Sequence, residues 1–138
     1  MERVKKCQMC RQEKTLQKFG GCKTCNECRR NLSVRRREIR KERRDAGWFI
    51  YALVDPNTNQ FVYVGRSYYP KRRYAQHLNP NQAVSKSFKE WIIKLHKGDL
   101  KPPMVILEKV DESESENREM FWIQTLIAAG NELMNVRR

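Results

Sequence analysis

The second half of the chain alternates apolar runs with polar breaks, a pattern that predicts a small α+β domain. Residues 49–55 (FIYALVD) and 61–67 (FVYVGRS) are rich in β-branched and aromatic residues, and the intervening PNTNQ favours a turn. These runs predict an antiparallel hairpin. Both faces of the first run are apolar, so we expect this strand to be covered on both sides, in the middle of the sheet. One face carries Phe49, Tyr51 and Leu53, and the other carries Ile50, Ala52 and Val54.

The register of this hairpin decides how its two tyrosines lie. Pairing Asp55 with Phe61 places Tyr51 opposite Gly65 and makes Tyr63 its diagonal neighbour on the same face. The two Cα atoms are then roughly 7 Å apart. Because Gly65 has no side chain, we expect a gap beside Tyr51 that a substrate can enter.

Three helices and a third strand are predicted to follow the hairpin. Pro70 suits the first turn of a helix that carries KRRYAQHL. Two serines, each with a glutamate three residues later, match the capping box that starts a helix. These boxes are Ser87 with Glu90 and Ser113 with Glu116. Residues 103–110, PMVILEKV, predict the third strand, and Gly130 is expected to end the last helix.

The positive charge of the protein is concentrated in its first third. The net charge of the 138 residues is +13, and residues 1–46 hold 16 Lys and Arg against 6 Asp and Glu. This asymmetry is typical of a module that binds a polyanion. We therefore expect three parts: a zinc-binding module at 1–28, a basic helical connector at 29–46 and a compact α+β domain at 47–138.

The hydrophobic content argues against membrane insertion and export. No apolar run in the sequence approaches the roughly 18–20 residues that span a bilayer. The start, MERVKKCQMC, lacks the apolar segment of a secretory signal. We expect an intracellular protein, cytoplasmic or nucleoid-associated, with no membrane partner.

Five cysteines lie in one short window and predict a structural zinc site. An odd number of thiols in an intracellular chain argues against a disulfide framework, whereas two C-x-x-C pairs suit tetrahedral Zn²⁺. Cys7 and Cys10 form the first pair, and the spacing leaves Cys22 with Cys25 or Cys25 with Cys28 as the second.

A second pattern bears on that choice. EKTLQKF, with Lys14, Leu16 and Phe19, followed by CNECRRN, resembles the middle and end of a short phage-type zinc ribbon. This resemblance implies that Cys25 and Cys28 complete the site with Cys7 and Cys10, which leaves Cys22 as a spare thiol.

The connector is predicted to contact DNA through its cations. As a helix it would present charge nearly all round, which suits phosphate contacts rather than the reading of base edges. Its cations are Arg29, Arg30, Arg35, Arg36, Arg37, Arg40, Lys41, Arg43 and Arg44. A solvated helix without a ligand is the alternative, because adjacent arginines repel one another.

A set of polar residues in the compact domain points to phosphodiester chemistry. Arg73 and His77 are four residues apart and share a helical face. On the last helix, Glu119 lines up with the apolar Ile123, Leu126 and Ile127. An inward carboxylate is costly unless it pairs with a cation, such as Arg73, or binds a metal. Together with two tyrosines, these groups can bind a phosphate, stabilise its transition-state charge and hold one divalent ion.

Residues 47–138 resemble a GIY-YIG nuclease domain. The first signature tripeptide is present as Phe49-Ile50-Tyr51 and the second as Tyr63-Val64-Gly65. The catalytic arginine, the helical histidine and the metal-binding glutamate of that family match Arg73, His77 and Glu119 (in REMFWI), and a late asparagine matches Asn135. The family prefers glycine where this chain has Phe49, which we interpret as a packing variant.

The resemblance implies a role for each matched residue. Tyr51 acts as, or positions, the general base, and Tyr63 orients the water or the scissile phosphate. Arg73 stabilises the phosphorane, His77 holds a phosphate oxygen or relays a proton, and Glu119 binds one Mg²⁺ or Mn²⁺. Asn135 is expected near the DNA. The products are a 3′-hydroxyl and a 5′-phosphate.

We therefore expect a metal-dependent endonuclease acting on double-stranded DNA, of homing or mobile-element type. Homing relatives generally carry a further DNA-binding region after the nuclease domain, so we expect specificity to come from the N-terminal third or from a partner. A restriction-type or structure-selective nuclease is one alternative, and a non-catalytic, zinc-dependent nucleic-acid-binding protein is another. The sequence does not choose between a monomer and a transient dimer.

Overall fold

The structure of the protein, a computed structural model, describes residues 2–135. It contains two compact units, Met1–Glu42 and Arg43–Arg138. The predicted connector lies within one helix, α1 (Asn26–Ala46), which begins three residues earlier than expected. The division into 1–28, 29–46 and 47–138 stays a prediction.

The first unit is a small module built around cysteines. Strands β1 (Val4–Lys6) and β2 (Glu13–Thr15) pair antiparallel, and a single 3₁₀ turn (Leu16–Lys18) follows. The buried core consists of Cys7, Phe19 and Cys25, with other cysteines packed against it. A core of this size provides little hydrophobic stabilisation, so a bound metal is the expected source of its stability.

The second unit has the predicted α+β architecture with a three-stranded antiparallel sheet. Its strands are β3 (Trp48–Val54), β4 (Phe61–Ser67) and β5 (Met104–Val110), in the order β4-β3-β5. The central position of β3 explains why both of its faces are apolar. The C-terminal part of β3, from Ile50 to Val54, is buried on both faces of the sheet.

The expected register of the hairpin is confirmed where it matters for the site. Tyr51 lies opposite Gly65, and Leu53 lies opposite Tyr63. The pairing shifts after Leu53, so that Val54 rather than Asp55 pairs with Phe61. The predicted pairing of Asp55 with Phe61 was therefore wrong by one residue. An irregularity in the strand pairing next to the turn nevertheless gives the two tyrosines the expected register.

Three helices cover the sheet of the second unit. They are α2 (Pro70–Leu78), α3 (Lys86–Lys97) and α4 (Glu112–Ala128). Pro70 is in the first turn of α2, as expected. The caps of α3 and α4 were predicted wrongly: the Ser85 Oγ, not that of Ser87, accepts the Phe88 N–H, and α4 begins after Asp111 without a side-chain cap.

Each face of the sheet packs against different helices. On one face, Ile50, Ala52 and Val64 contact Ile123 and Leu126 of α4. On the other face, the side chains of Tyr51, Leu53 and Tyr63 contact Phe88 and Ile92 of α3. Ile127, expected on the apolar stripe of α4, is 41% exposed.

The expected gap beside Gly65 is filled by Tyr51 itself. A Cβ added at Gly65 would lie 2.6 Å from Cζ of Tyr51 and 3.0 Å from Cε1 of Tyr63. Glycine is therefore needed because the phenol of Tyr51 crosses strand β4 at this point. A substrate therefore cannot occupy the space beside Gly65 and would have to approach at the edge of the Tyr51 and Tyr63 rings.

Among residues 2–135, no helix combines the length and the apolar character required to cross a membrane.

Substituting Gly65 with alanine is predicted to destabilise the second unit. The new methyl group overlaps the phenol of Tyr51, and overpacking of this kind costs about 1–3 kcal/mol. Urea unfolding followed by tryptophan fluorescence measures the loss, because Trp48, Trp91 and Trp122 all lie in this unit.

Gly98→Ala is the matched control for Gly65→Ala. Gly98 has φ −87°, and the nearest atom to an added Cβ is 3.6 Å away, so this change should be neutral or stabilise by up to about 1 kcal/mol. Equal effects of the two substitutions would contradict the packing argument.

Candidate active site

A buried tyrosine–histidine pair forms the centre of the candidate site. The hydroxyl of Tyr51 and Nε2 of His77 are 2.6 Å apart, and the two residues are 0% and 1% exposed. His77 comes from α2, seven residues after Pro70, and its ring packs against the rings of Tyr63 and Phe88. The position of His77 is therefore fixed by aromatic contacts as well as by this hydrogen bond.

The surroundings of this pair favour neutral forms of both side chains. Burial lowers the pKa of His77 to about 4, and the positive charge of Arg73 acts in the same direction. Burial raises the pKa of Tyr51 well above its ordinary value. At neutral pH both side chains are therefore uncharged, and the hydrogen bond between the Tyr51 hydroxyl and Nε2 of His77 joins two neutral groups.

Arg73 is the cation that acts on both tyrosines. It lies on α2, one turn before His77, and its Nη1 donates to Oε1 of Gln76 at 3.0 Å. Burial raises the pKa of Tyr63 and of Tyr51, and Arg73 opposes that rise in each case. The half-buried guanidinium is therefore close to both hydroxyls, where it can also meet an incoming phosphate.

The ion-pair partner of Glu119 is Arg66, which sequence reasoning missed. Nε of Arg66 lies 3.9 Å from Oε2 of Glu119, and Nη1 donates to the fully buried Ser115 hydroxyl at 2.7 Å. The suggested pairing of Glu119 with Arg73 is not observed. The available signal was strand alternation, which places Arg66 on the same face as Val64, the face that α4 covers.

The arrangement suits an anion with one metal ion beside it. Burial raises the pKa of Glu119, and the charge of Arg66 opposes this rise. Within residues 2–135, Glu119 belongs to no cluster of three or more possible metal ligands. Its single carboxylate therefore fits an ion such as Mg²⁺, which keeps several waters and binds substrate phosphate oxygens.

The asparagines after α4 bind the edge strand β4. Oδ1 of Asn135 accepts the N–H of Val64 at 3.0 Å, and Nδ2 donates to the carbonyl of Val64 at 2.6 Å. Oδ1 of Asn131 accepts the N–H of Phe61. Asn135 thus takes the place of a neighbouring strand at Val64, and its role as a DNA contact stays a prediction.

Four cysteines of the first unit converge as one group. The sulfur atoms of Cys7, Cys10, Cys25 and Cys28 all lie within 4.8 Å of one another, and those of Cys7 and Cys28 are 4.0 Å apart. Tetrahedral Zn–S bonds of about 2.3 Å imply sulfur separations of about 3.8 Å, so the group fits Zn²⁺. Cys25 and Cys28, the second pair implied by the zinc-ribbon resemblance, complete the group with Cys7 and Cys10.

Neighbouring donors lower the pKa of two cysteines of this cluster, Cys7 and Cys25. The backbone N–H of Cys25 donates to Sγ of Cys7 at 3.4 Å and lowers the pKa of Cys7 to about 6, against the effect of burial. Nζ of Lys14 donates to Sγ of Cys25 at 3.2 Å. Sγ of Cys22 instead accepts Nη1 of Arg29, so Cys22 lies outside the group.

The cations of α1 occupy one face rather than the whole circumference. With about 100° per residue, all of the predicted cations except Arg35 fall within an arc of about 160°. Arg35 lies on the opposite side, next to the stripe formed by the acidic residues Glu27, Glu38, Glu42 and Asp45. Charge of either sign therefore lies nearly all round the helix, as expected, but the positive charge is concentrated on one face.

Three of the nine cations have partners within their own unit. Arg29 donates to the carbonyl of Phe19 and to Oδ1 of Asn26. The guanidinium groups of Arg43 and Arg44 lie over the rings of Tyr69 and Tyr68. The others form no salt bridge within the described part of the chain: Arg30, Arg35, Arg36, Arg37, Arg40 and Lys41.

The buried His77 is predicted to destabilise the second unit in acid. Its pKa is about 4 in the folded state and about 6.5 when unfolded, so the unfolded state binds more protons between these values. Its contribution to stability is fully present above about pH 6.5 and is lost as the pH falls toward 4. Between pH 7 and 4.5 we expect a loss of about 2 kcal/mol from this residue.

Urea unfolding at several pH values, followed by tryptophan fluorescence, measures this effect. His77→Gln should weaken the pH dependence, whereas the same change at the exposed His96 should leave it as in the wild type. Parallel curves for His77→Gln and the wild type would rule out a buried, neutral histidine.

Comparison with known protein families identifies the same domain that the sequence motifs of residues 47–138 resemble. A family model described as the GIY-YIG catalytic domain matches residues 47–132, more than half of the chain. A search of curated proteins and a search of solved structures each returned no match. The matched range contains Tyr51, Tyr63, Arg73, His77 and Glu119. The chain therefore belongs to the GIY-YIG family, and this membership supports a nuclease of the GIY-YIG type with a DNA substrate.

Proposed function

We propose that the protein is a metal-dependent endonuclease that hydrolyses phosphodiester bonds of double-stranded DNA. The observation that carries this proposal is the buried pair of Tyr51 and His77 with Arg73 beside it, one turn earlier on the same helix. A structural tyrosine needs no cation that lowers its pKa. Such a cation is useful where a phenol must lose a proton or approach an anion.

The two tyrosines have different roles toward the attacking water. Tyr51 is fully buried and hydrogen-bonded to His77, and its role is that of the general base or of the group that positions the base. Tyr63 is 9% exposed and orients the water or the scissile phosphate. The burial of His77 fits a proton relay through Tyr51 better than direct contact with a phosphate oxygen.

Arg73 and Glu119 supply the electrostatic part of the reaction. Arg73 neutralises charge on the phosphorane, which is the largest contribution in reactions of this kind. Glu119 holds Mg²⁺ or Mn²⁺, and when bound this ion stabilises the leaving oxygen. The charge of Arg66 favours the ionised carboxylate of Glu119, whereas burial raises the pKa of this group.

We propose that the first unit binds Zn²⁺ and that α1 clamps DNA. The four sulfur atoms lie within 4.8 Å of one another, close enough to surround one Zn²⁺, and within residues 2–135 most cations of the basic face of α1 form no salt bridge. Contacts from such a face go to phosphates. Within the nuclease class we propose a homing or mobile-element enzyme, in which this N-terminal part supplies recognition.

Plasmid cleavage tests the nuclease. With Mg²⁺ or Mn²⁺ the wild type should nick or linearise supercoiled DNA, and Arg73→Ala should slow cleavage by about 10²- to 10³-fold. Glu119→Gln should cause a comparable loss, because the amide cannot replace the charge that holds the ion. Mapping the ends separates a site-specific homing enzyme from a structure-selective one.

Two neighbours provide matched controls for these substitutions. Arg72→Ala removes the same charge from an exposed position of α2, and Glu116→Gln does so on α4. Both should change the rate only a few-fold, and the zinc content of all preparations should be equal. A wild type that binds DNA but cuts neither plasmid nor branched substrates would contradict the proposal and favour a binding protein.

The basic face of α1 is predicted to set the salt dependence of DNA binding. Arg36→Gln and Arg40→Gln should each reduce the log–log slope of affinity against salt by about 0.9, because each loses one phosphate contact. Arg35→Gln removes the same charge from the opposite side of the helix and should leave the slope unchanged. Fluorescence anisotropy with one duplex at four salt concentrations gives the slopes, and equal slopes for all three variants would argue against a DNA-binding face.

A further inference from the structure

The second unit contains a large cavity that the proposed chemistry does not use. Its volume is about 740 Å³, which lies within the range of about 300–1,000 Å³ typical of ligand sites. Much of its wall is aromatic, and these rings are only partly buried. They belong to Phe49, Tyr68, Tyr69 and Tyr74. Partly buried rings around an open volume present faces on which a planar ligand can stack.

Phe49 forms one side of this aromatic wall. Its ring lies at the cavity, with Nζ of Lys109 5.6 Å from the ring centre. A glycine here would remove one side of the cavity altogether.

Cations lie beside the aromatic wall, and among residues 2–135 no carboxylate lines the cavity. The lining cations are Arg43, Lys71 and Lys109. The guanidinium of Arg43 lies 3.8 Å from the ring centre of Tyr69, so ring and guanidinium form one stacked layer. Rings that accept a base, together with cations that accept its phosphate, are the combination found in proteins that bind single strands.

The cavity adjoins the candidate active site through α2. Tyr74 lines the cavity and packs against the core cluster that contains Tyr51 and Tyr63. Its hydroxyl donates to the carbonyl of Pro102 at 2.8 Å, which fixes the ring between the two sites. Arg73, proposed to meet the scissile phosphate, is the preceding residue, and consecutive Cα atoms are about 3.8 Å apart.

We propose that this cavity binds an unpaired nucleobase of the DNA, stacked on Phe49 or on the Arg43–Tyr69 layer, while the scissile phosphate lies at Arg73. The cavity thereby gives the protein a preference for DNA that is bulged, nicked or locally melted next to the cleavage point. The inference rests on the proposed function only in that both require DNA at α2, and it is tested by binding rather than by cleavage.

The experiment compares two oligonucleotides that differ by one base. A labelled duplex carries a single-nucleotide bulge, and its partner carries an abasic residue at the same bulge, so backbone and charge are identical. Anisotropy is measured with the full chain, in zinc but without Mg²⁺ or Mn²⁺, so that no cleavage interferes. The wild type should bind the bulged base roughly 5- to 100-fold more tightly than the abasic partner.

Two cavity variants and one control identify the site. Phe49→Leu and Tyr69→Leu each keep an apolar side chain but remove a stacking ring, and each should lower the base/abasic ratio several-fold while the affinity for plain duplex changes less than twofold. Phe121→Leu removes an exposed ring that also has an arginine over it, Arg118 at 4.2 Å, but lies on α4 outside the cavity lining. It should leave the ratio unchanged.

The outcomes separate this inference from the nuclease proposal. A wild-type ratio near one, or a ratio preserved in both cavity variants, overturns the cavity site even if the protein cuts plasmid. A ratio that falls in the folded cavity variants supports the site even if no cleavage is ever seen. Should one variant fail to fold, as judged by tryptophan fluorescence and by duplex affinity, the other decides the question alone.

Discussion

The structure of the second unit depends on the path of one side chain, the phenol of Tyr51. To reach Nε2 of His77 it must cross β4, and it can do so only because Gly65 stands opposite it in the register. Two further conditions place His77 within reach: β3 is the central strand of the sheet, and α2 begins at Pro70, shortly after β4 ends at Ser67. Once these conditions are met, Arg73 lies one helical turn before His77, beside both tyrosines.

The same burial that fixes this geometry makes the chemistry dependent on substrate. Burial favours neutral Tyr51 and neutral His77, and each unit of pKa shift represents about 1.4 kcal/mol. In the free protein Arg73 is the counterweight, because its charge lowers the pKa of both tyrosines. In the proposed reaction, a bound phosphate and a divalent ion would therefore have to assist Arg73 in the deprotonation of Tyr51.

Much of this arrangement was predictable from local patterns. Two apolar runs joined by PNTNQ predicted the hairpin, because strand alternation and a short turn leave few registers that bury both faces. C-x-x-C spacing restricted the zinc ligands to two sets. Long-range packing was not predictable in the same way. Ser87 matches the capping box through Glu90, yet α3 begins two residues earlier and its N-cap is Ser85, which has no glutamate three residues later.

Arg66 shows why the remaining part of the site escaped prediction. A strand arginine next to a glycine has no distinctive local signature, and its importance appears only when α4 brings Ser115 and Glu119 against it. Gly65 was identified but misinterpreted, because an absent side chain was taken for empty space when it accommodates a neighbouring ring. Sequence reveals which residue types are present, whereas occupancy of space is a property of the whole packed core.

Phosphate contacts and base stacking, the two kinds of DNA contact proposed for this chain, differ in how much they reveal about the DNA sequence. This difference limits how far each can contribute to the recognition of a target sequence. The phosphate contacts proposed for the basic face of α1 would position the protein but would carry no direct sequence information. A stacked base in the cavity also tolerates every base, since each has a π-face, so it would select for an unpaired nucleotide rather than for a sequence. Recognition of a defined target by a homing enzyme therefore needs hydrogen bonds to base edges, which neither a cationic face nor an aromatic wall supplies.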